Sequence, residues 1–237
     1  MQGRYILTEF NIELKSDPDA TFRVQAIRDR FTISADDNSE RFVGEIDLSG
    51  DWRIGLIVGP SGSGKTSIAR DVFGGDVVAG YNYNAAAVVD DMPDGVDCER
   101  IARTFNAVGF SSPPCWLRPY SVLSGGERMR VDLARALLSS TSPIVFDEFT
   151  SVVDRQVARF GSAAVAKSVR RSDAKFVAVT CHYDVADWLC PDWVFDTAKM
   201  CQSSPKKKSD RESGFASFVS SANPSGTIGD CLADIII

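Results

Sequence analysis

At 237 residues, with 44% apolar and 24% charged side chains, the chain has the balance of a folded globular protein and room for one large domain. No run reaches the roughly 20 apolar residues that span a bilayer, and MQGRYILTEFNIELKSD has no basic stretch leading into an apolar one, so neither an anchor nor a secretory leader is expected. A net charge of −6 argues against a broad nucleic-acid footprint, and six scattered cysteines without a CxxC pair point to reduced thiols in a cytoplasmic setting.

Residues 4–14, 21–27 and 41–48 alternate polar and apolar side chains, with turn-forming SDPD and SADDNSE between them, and predict a small antiparallel sheet. RIGLIV (53–58) reads as a buried strand, and from there the order becomes strand, glycine loop and helix. The helix after Lys65 is expected to end at Phe73, stopped by Gly74-Gly75. AAAVV (85–89) reads as another buried strand, 98–108 as a helix, and the proline-bearing 111–120 as mostly loop. A helix opens at Ser124, a strand lies at 144–146, a long helix covers 155–171, and strands at 175–180 and 193–195 complete an α/β core. Beyond Thr197 the chain turns polar, and 198–237 is expected to be a disordered tail. That tail carries a lysine run at 206–208 and an apolar end at Leu232 and Ile235–Ile237, which either docks or marks an altered terminus.

Gly59-Pro60-Ser61-Gly62-Ser63-Gly64-Lys65-Thr66 fits GxxxxGK[ST] between an expected strand and an expected helix. Glycines let backbone N–H groups wrap a phosphate, and the helix start, through Ser67, adds its positive dipole end. Lys65 would reach the β- and γ-phosphates, and the Thr66 hydroxyl would ligate Mg²⁺. Kinases, GTPases and helicases share this loop, so it indicates a nucleotide and not a reaction.

Leu123-Ser124-Gly125-Gly126-Glu127 alone reads as a capping box, a serine followed three residues later by glutamate. Together with the phosphate loop it resembles the LSGGQ/LSGGE signature of ATP-binding cassette (ABC) ATPases. The resemblance extends in order along residues 53–196. Ile144-Val145-Phe146-Asp147-Glu148 is similar to the Walker B strand, and Ser151-Val152-Val153-Asp154 to the D-loop. His182 stands after an expected strand where the family has its switch histidine, and it is the only histidine in the chain. The family implies an α/β P-loop core with an N-terminal antiparallel β subdomain and a helical subdomain, here about 92–140, within a domain of 1–197. It further implies ATP and Mg²⁺ as ligands and a head-to-tail homodimer in the ATP-bound state. Lys65, Glu148 and His182 would be catalytic, and Thr66 and Asp147 would hold the metal. Gly59 to Ser67, Ser124 to Glu127 and Asp154 would line the nucleotide.

Three departures qualify that resemblance. No glutamine stands between Gln25 and Gln156, where the family places a Mg²⁺-sensing one; Asp90 or Asp91 could replace it, with Asp91 the expected metal ligand, or both could be solvated turn residues. Ser124 follows Lys65 by only 59 residues, so the helical subdomain is shortened where transporter subunits dock their membrane partner. For the adenine, Phe31 and Phe42 are candidates, with Phe42 the better core residue.

The leading expectation is a stand-alone ATPase coupled to a non-transport task. PPCWLRPYSVLSGGER, DEFTSVVD and CHYDVADWLCPDW resemble a minor group of such ATPases, some of which carry an acetyltransferase-like domain for which the tail has no room. The alternatives are the ATP-binding subunit of a transporter and a slow ATP-dependent dimerisation switch. A nucleic-acid partner draws only on Arg155, Arg159, Lys167, Arg170 and Arg171, which share a helix without sharing one face, and a membrane subunit is not expected.

Overall fold

The computed structural model describes residues 7–16, 18–33, 39–74, 77–139 and 142–204. Two sheets organise them. Strands β1 (Leu7–Lys15) and β2 (Ser39–Asp47) pair antiparallel, with Phe10 opposite Gly44. The second sheet has six strands: β3 (Ile54–Val58), β4 (Val77–Val78), β5 (Ile144–Phe146), β6 (Phe176–Thr180), β7 (Trp193–Asp196) and β8 (Cys201–Ser203). Their spatial order is β4-β5-β6-β3-β7-β8, parallel throughout except for the antiparallel β7–β8 edge.

The central strands IGLIV, IVF and FVAVT are buried along their whole length, as continuous apolar runs require when both faces of a parallel sheet are covered. Their side chains alternate between two cores. Ile54, Leu56, Val58, Phe146, Phe176 and Ala178 meet α3 (Cys98–Ala107), α5 (Gly125–Leu138) and α6 (Arg155–Arg170) on one face. Ile57, Val145, Val177, Val179 and Phe195 meet α2 (Lys65–Phe73), β1 and β2 on the other. Each fully buried Leu, Ile, Val or Phe contributes about 1.5–3 kcal/mol, so the two-sided sheet is the main source of stability. Gly55 has a packing reason: a Cβ there would lie 2.1 Å from the Trp193 ring.

Two expected strands are not strands. Residues 21–27 lie in and before a helix, α1 (Phe22–Phe31), capped by the Thr21 hydroxyl, which accepts from Val24 N–H at 3.3 Å. Nothing on α1 is buried, so the alternation of this segment has no sheet face to serve, and the N-cap decides. Residues 85–89 form loop leading into a 3₁₀ turn at Val88–Asp91, tied to the next segment by Val88 N–H donating to Arg118 O at 2.9 Å. Short helices α4 (Pro113–Trp116) and α7 (Val185–Leu189) and strand β8 complete the elements. β8 lies beyond residue 197, where Cys201–Ser203 pairs with the edge of β7, so the fold extends past the expected boundary to the end of the described residues at Ser204. The rest of the expected tail, with Lys206–Lys208 and Cys231, lies outside the described residues, as does Gly75. Among the described residues, Cys98, Cys115, Cys181, Cys190 and Cys201 are free thiols, and no helix is long and apolar enough to cross a membrane.

Candidate nucleotide site

The phosphate loop leaves the end of β3 and enters α2, as expected. Gly62 and Gly64 have φ of 80° and 73°, backbone that glycine adopts without strain. Ser63 Oγ donates to Pro60 O at 2.8 Å, and Lys65 Nζ donates to the same carbonyl at 2.6 Å, which fold the loop on itself. Ser61 is exposed, and Ser67 is half-buried in the first turn of α2. Among the described helices of nine residues or more, α1, α3, α5 and α6 each have a side-chain N-cap, from Thr21, Asp97, Ser124 and Asp154. The start of α2 at Gly64 has none. Its leading N–H groups and its positive dipole end are therefore without a side-chain acceptor, the local chemistry that suits an anion.

The sheet then delivers the acid groups. Asp147 follows β5 and is buried; its Oδ2 accepts from the Thr66 hydroxyl at 2.8 Å, while its Oδ1 accepts from Glu148 N–H at 2.9 Å. Glu148 itself sits at φ 51°, a left-handed conformation unusual for a side-chain-bearing residue, and Thr150 at 67°. Such positions cost about 1–3 kcal/mol and persist when the surroundings fix them. Here Asp147 N–H is tied to Val78 O at 2.8 Å and Phe149 N–H to Val179 O at 2.9 Å. Glu148 stands between two backbone anchors and is itself exposed. Just beyond it, the hydroxyls of Thr150 and Ser151 are buried without a hydrogen-bond partner.

The signature segment has the geometry its local pattern predicts. Ser124 caps α5: Glu127 N–H donates to Ser124 Oγ at 3.4 Å, and Ser124 N–H donates back to Glu127 Oε2 at 2.8 Å. The Ser124 hydroxyl also donates to that oxygen, at 2.7 Å. These bonds, the hydroxyl's first and the backbone's next, hold the Glu127 carboxyl below its usual range. A Cβ on Gly125 would lie 3.6 Å from Val152 O, and one on Gly126 3.2 Å from Val157 Cγ1. The signature turn thus rests on the segment resembling the D-loop and on the start of α6. Asp154 is the N-cap of α6, its Oδ1 accepting from Gln156 and Val157 N–H at 2.9 and 3.0 Å, so one carboxylate oxygen is committed to the helix. His182 follows β6, half-buried, with its backbone N–H on the Thr180 hydroxyl at 3.2 Å.

Asp90 and Asp91 are not at a strand end. Asp91 accepts from Asn84 N–H at 3.0 Å and, with both oxygens, from Ala85 N–H at 3.1 and 3.2 Å, so it closes its own loop. The carboxylate expected to ligate metal is occupied by backbone donors, and Asp90 sits beside it in the same 3₁₀ turn. Among the described residues, no three or more His, Cys, Asp or Glu side chains converge as a ready-made metal cluster. Phe31 is exposed at the end of α1. Phe42 packs on the second core, and its ring lies against Gly64, 2.8 Å from where a Cβ would be. Sequence reasoning missed Thr197. Its hydroxyl is 2.6 Å from Ser63 Oγ and donates to Val58 O at 3.3 Å, and a Cβ on Gly59 would strike it at 2.0 Å. A threonine 134 positions from the loop it braces carries no local signal.

These elements together define a P-loop nucleotide-binding domain. No family model matches the chain. Its curated relatives include the hemin import ATP-binding protein HmuV of Rhodococcus jostii, 30% identical over 156 residues, covering 46% of this chain and 51% of that protein. The lipoprotein-releasing system ATP-binding protein LolD 1 of Rhodopirellula baltica is 34% identical over 106 residues, 45% of each chain. The energy-dependent translational throttle protein EttA of Mycobacterium tuberculosis is 32% identical over 124 residues, 41% of this chain and 22% of that one. The chain spans about half or less of the length of these relatives. Among solved structures, it is similar to a bacterial Atm1-family ABC exporter with ATP bound (TM-score 0.56, 18% identity, 76% of this chain and 38% of that). A dimeric ATP-binding cassette in a post-hydrolysis state with ADP and Pi gives 0.51 and 16%, over 66% of this chain and 87% of that. In sequence the chain is similar to ATP-binding proteins of the ATP-binding cassette type, and in fold to their solved structures.

Proposed function

We propose that the domain binds ATP with Mg²⁺ and hydrolyses it as a head-to-tail homodimer, in the service of a task other than membrane transport. The observation that carries this reading is α2, the one long helix without a side-chain cap among the described residues, opening beside the Thr66–Asp147 pair with Glu148 next in the chain. A hydroxyl and a carboxylate 2.8 Å apart are hard oxygen donors that fit Mg²⁺. When bound, the metal neutralises charge on the β- and γ-phosphate oxygens.

The chain's own groups supply the rest. The turn from Gly62 to Lys65 offers N–H groups to the phosphates, and Lys65 exchanges its bond to Pro60 O for a phosphate oxygen. Glu148 accepts a hydrogen bond from the attacking water and takes its proton on the carboxylate. His182 contacts the γ-phosphate. Ser124 and the first N–H groups of α5 serve the neighbouring subunit's nucleotide; within their own chain the glycines of this turn, Gly125 and Gly126, lie near Val152 O and the Val157 side chain.

HmuV, LolD and EttA bear names from both import or release systems and translation, so the load is argued from this chain. The short helical subdomain favours a non-transport load over a transporter subunit, the second reading. A slow dimerisation switch is disfavoured by the presence of both Glu148 and His182. The test is Glu148→Gln in size-exclusion chromatography with and without Mg-ATP, beside steady-state turnover. The reading expects ATP-dependent dimers and turnover lowered about 100-fold or more. Wild-type turnover by the variant, or wild-type turnover from a strict monomer, overturns it.

A further inference from the structure

Helices α3 and α6 border a cleft of ≈ 740 Å³ whose lining includes Arg100, Arg103, Lys167 and Arg171, with the Thr104 and Ser168 side chains between them. No carboxylate and no aromatic ring lines it. The chain as a whole carries a net charge of −6, so four cations on one cleft are a segregation of charge and not a sample of the surface.

The structure sorts the basic residues of α6, which the sequence could not. Arg155 pairs with Asp184 and lies over the Trp188 ring, and Arg170 pairs with Asp192 and Cys190 O. Lys167 and Arg171, one helical turn apart, instead face the cleft. Local helix energetics account for part of this set. Lys167 and Arg171 stand at the C-terminal end of α6, where cations offset the dipole. Arg103 pairs with Glu99 at 3.3 Å, both side chains largely in solvent, an arrangement of little strength. Arg100 is different. It occupies the third position of α3, near the positive end of the helix dipole, where a cation is disfavoured. An unfavourably placed arginine opposite Lys167 and Arg171 marks a surface shaped for a multiply charged anion.

We propose that this cleft binds the phosphate backbone of a nucleic acid, without reading its sequence. Guanidinium groups match phosphate in a forked geometry, and the Ser168 hydroxyl adds a neutral partner of the kind that positions a backbone, while the Thr104 hydroxyl is spent on Arg100 O at 2.8 Å. The absence of aromatic side chains from the lining removes the stacking platforms that single-strand readers use. Lys167 lies about 20 Å along α6 from Asp154, which caps the same helix beside the signature turn. A strand held here therefore grips the helix that leaves the nucleotide site.

The experiment is fluorescence anisotropy of the full chain with a labelled 30-base-pair DNA duplex across a salt series, repeated with duplex RNA, single-stranded DNA and poly-glutamate as competitors. The inference expects salt-sensitive binding with a log–log slope of about −2 to −4, displaced by duplexes of any sequence and poorly by poly-glutamate. The variant Arg100→Glu/Lys167→Glu should lose about tenfold or more in affinity and flatten the slope. No duplex binding by the parent chain overturns it. Equal binding by the variant moves the contact elsewhere, to the Lys206–Lys208 run above all, and overturns it as well. Stronger displacement by poly-glutamate than by duplex assigns the cleft to an acidic protein and sinks the nucleic-acid reading. The variant leaves the phosphate loop and signature untouched, so retained ATP turnover separates failure here from failure of the proposed ATPase reading.

Discussion

Thr66 and Asp147 are 81 residues apart in the chain and 2.8 Å apart in space, hydroxyl to carboxylate. The contact joins the end of the phosphate loop to the end of β5, and it exists because β5 and β3 flank β6 in one parallel sheet. Both strands end on the same edge, where α/β sheets expose their ligand-binding groups. Asp147→Asn keeps the acceptor for Glu148 N–H but removes the charge. It should lower Mg²⁺-dependent turnover about 10- to 100-fold with little change in fold, measured as ATP turnover against Mg²⁺ beside a circular dichroism spectrum.

Ser124→Arg places a bulky cation where α5 presents its first turn. One chain's phosphate loop is untouched by the change, so ATP binding to the monomer should stay near wild type while turnover falls about 100-fold or more. Mixing Ser124→Arg with Lys65→Ala should restore at most one working site per dimer. Titration of the two variants at fixed total protein checks this; no recovery at any ratio would argue that Ser124 serves its own chain.

Ser124→Ala, by contrast, tests the capping box. Losing an N-cap costs about 1 kcal/mol, seen as a lower midpoint in urea. Because the Ser124 hydroxyl and N–H hold the Glu127 carboxyl below its usual range, their stabilisation is present above the ordinary carboxylate pKa and fades as pH falls through the lowered one. The gap between parent and variant should therefore narrow in acid, starting below about pH 4.

Asp132 behaves in the opposite sense. Tyr83 and Tyr120 both donate to it, at 2.7 and 2.8 Å, and their rings stack 3.9 Å apart with Arg135 over Tyr83. Burial raises the Asp132 carboxyl above its usual range despite the two hydroxyls, and raises both phenols. A raised carboxyl contributes most below its unfolded pKa and loses that contribution as pH rises through the folded value. Melting temperature against pH should thus show a decline for the parent, above about pH 4, that Asp132→Asn flattens. Tyr83→Phe leaves one buried carboxylate oxygen short of a donor and should cost about 1–3 kcal/mol.

Gly55→Ala is the control for packing. Its Cβ would meet the Trp193 ring at 2.1 Å, and a ring wedged between Trp52 and Phe73 has nowhere to turn. Destabilisation of about 1–3 kcal/mol is expected in denaturant unfolding, with ATP affinity kept in the folded fraction.

Much of this was legible in the residues. Lys65–Phe73 and the capping box at Ser124 were readable because their signals are local: a glycine loop before a helix, and serine with glutamate three positions on. The segment at 21–27 was not, because TFRVQAI satisfies both a two-residue and a helical period, and the hydroxyl of Thr21 is what separates them. AAAVV failed for another reason. Only Val88 and its neighbours reach the core, and the Asp91 carboxylate folds the run back on Asn84 and Ala85. The left-handed turn at Glu148, the brace from Thr197 and the Tyr83–Asp132–Tyr120 cluster all depend on contacts between distant parts of the chain, and no local pattern encodes them.

That cluster has a mechanical result. Asp132 lies about two turns along α5 from Ser124, and Arg135, one turn further, bonds Asn82 O at 2.9 Å while its guanidinium covers Tyr81 and Tyr83. The stretch from Tyr81 to Asp91 is therefore clasped to a single rigid rod whose tip is Ser124. Pull on that stretch, and the load reaches Ser124 through the length of α5.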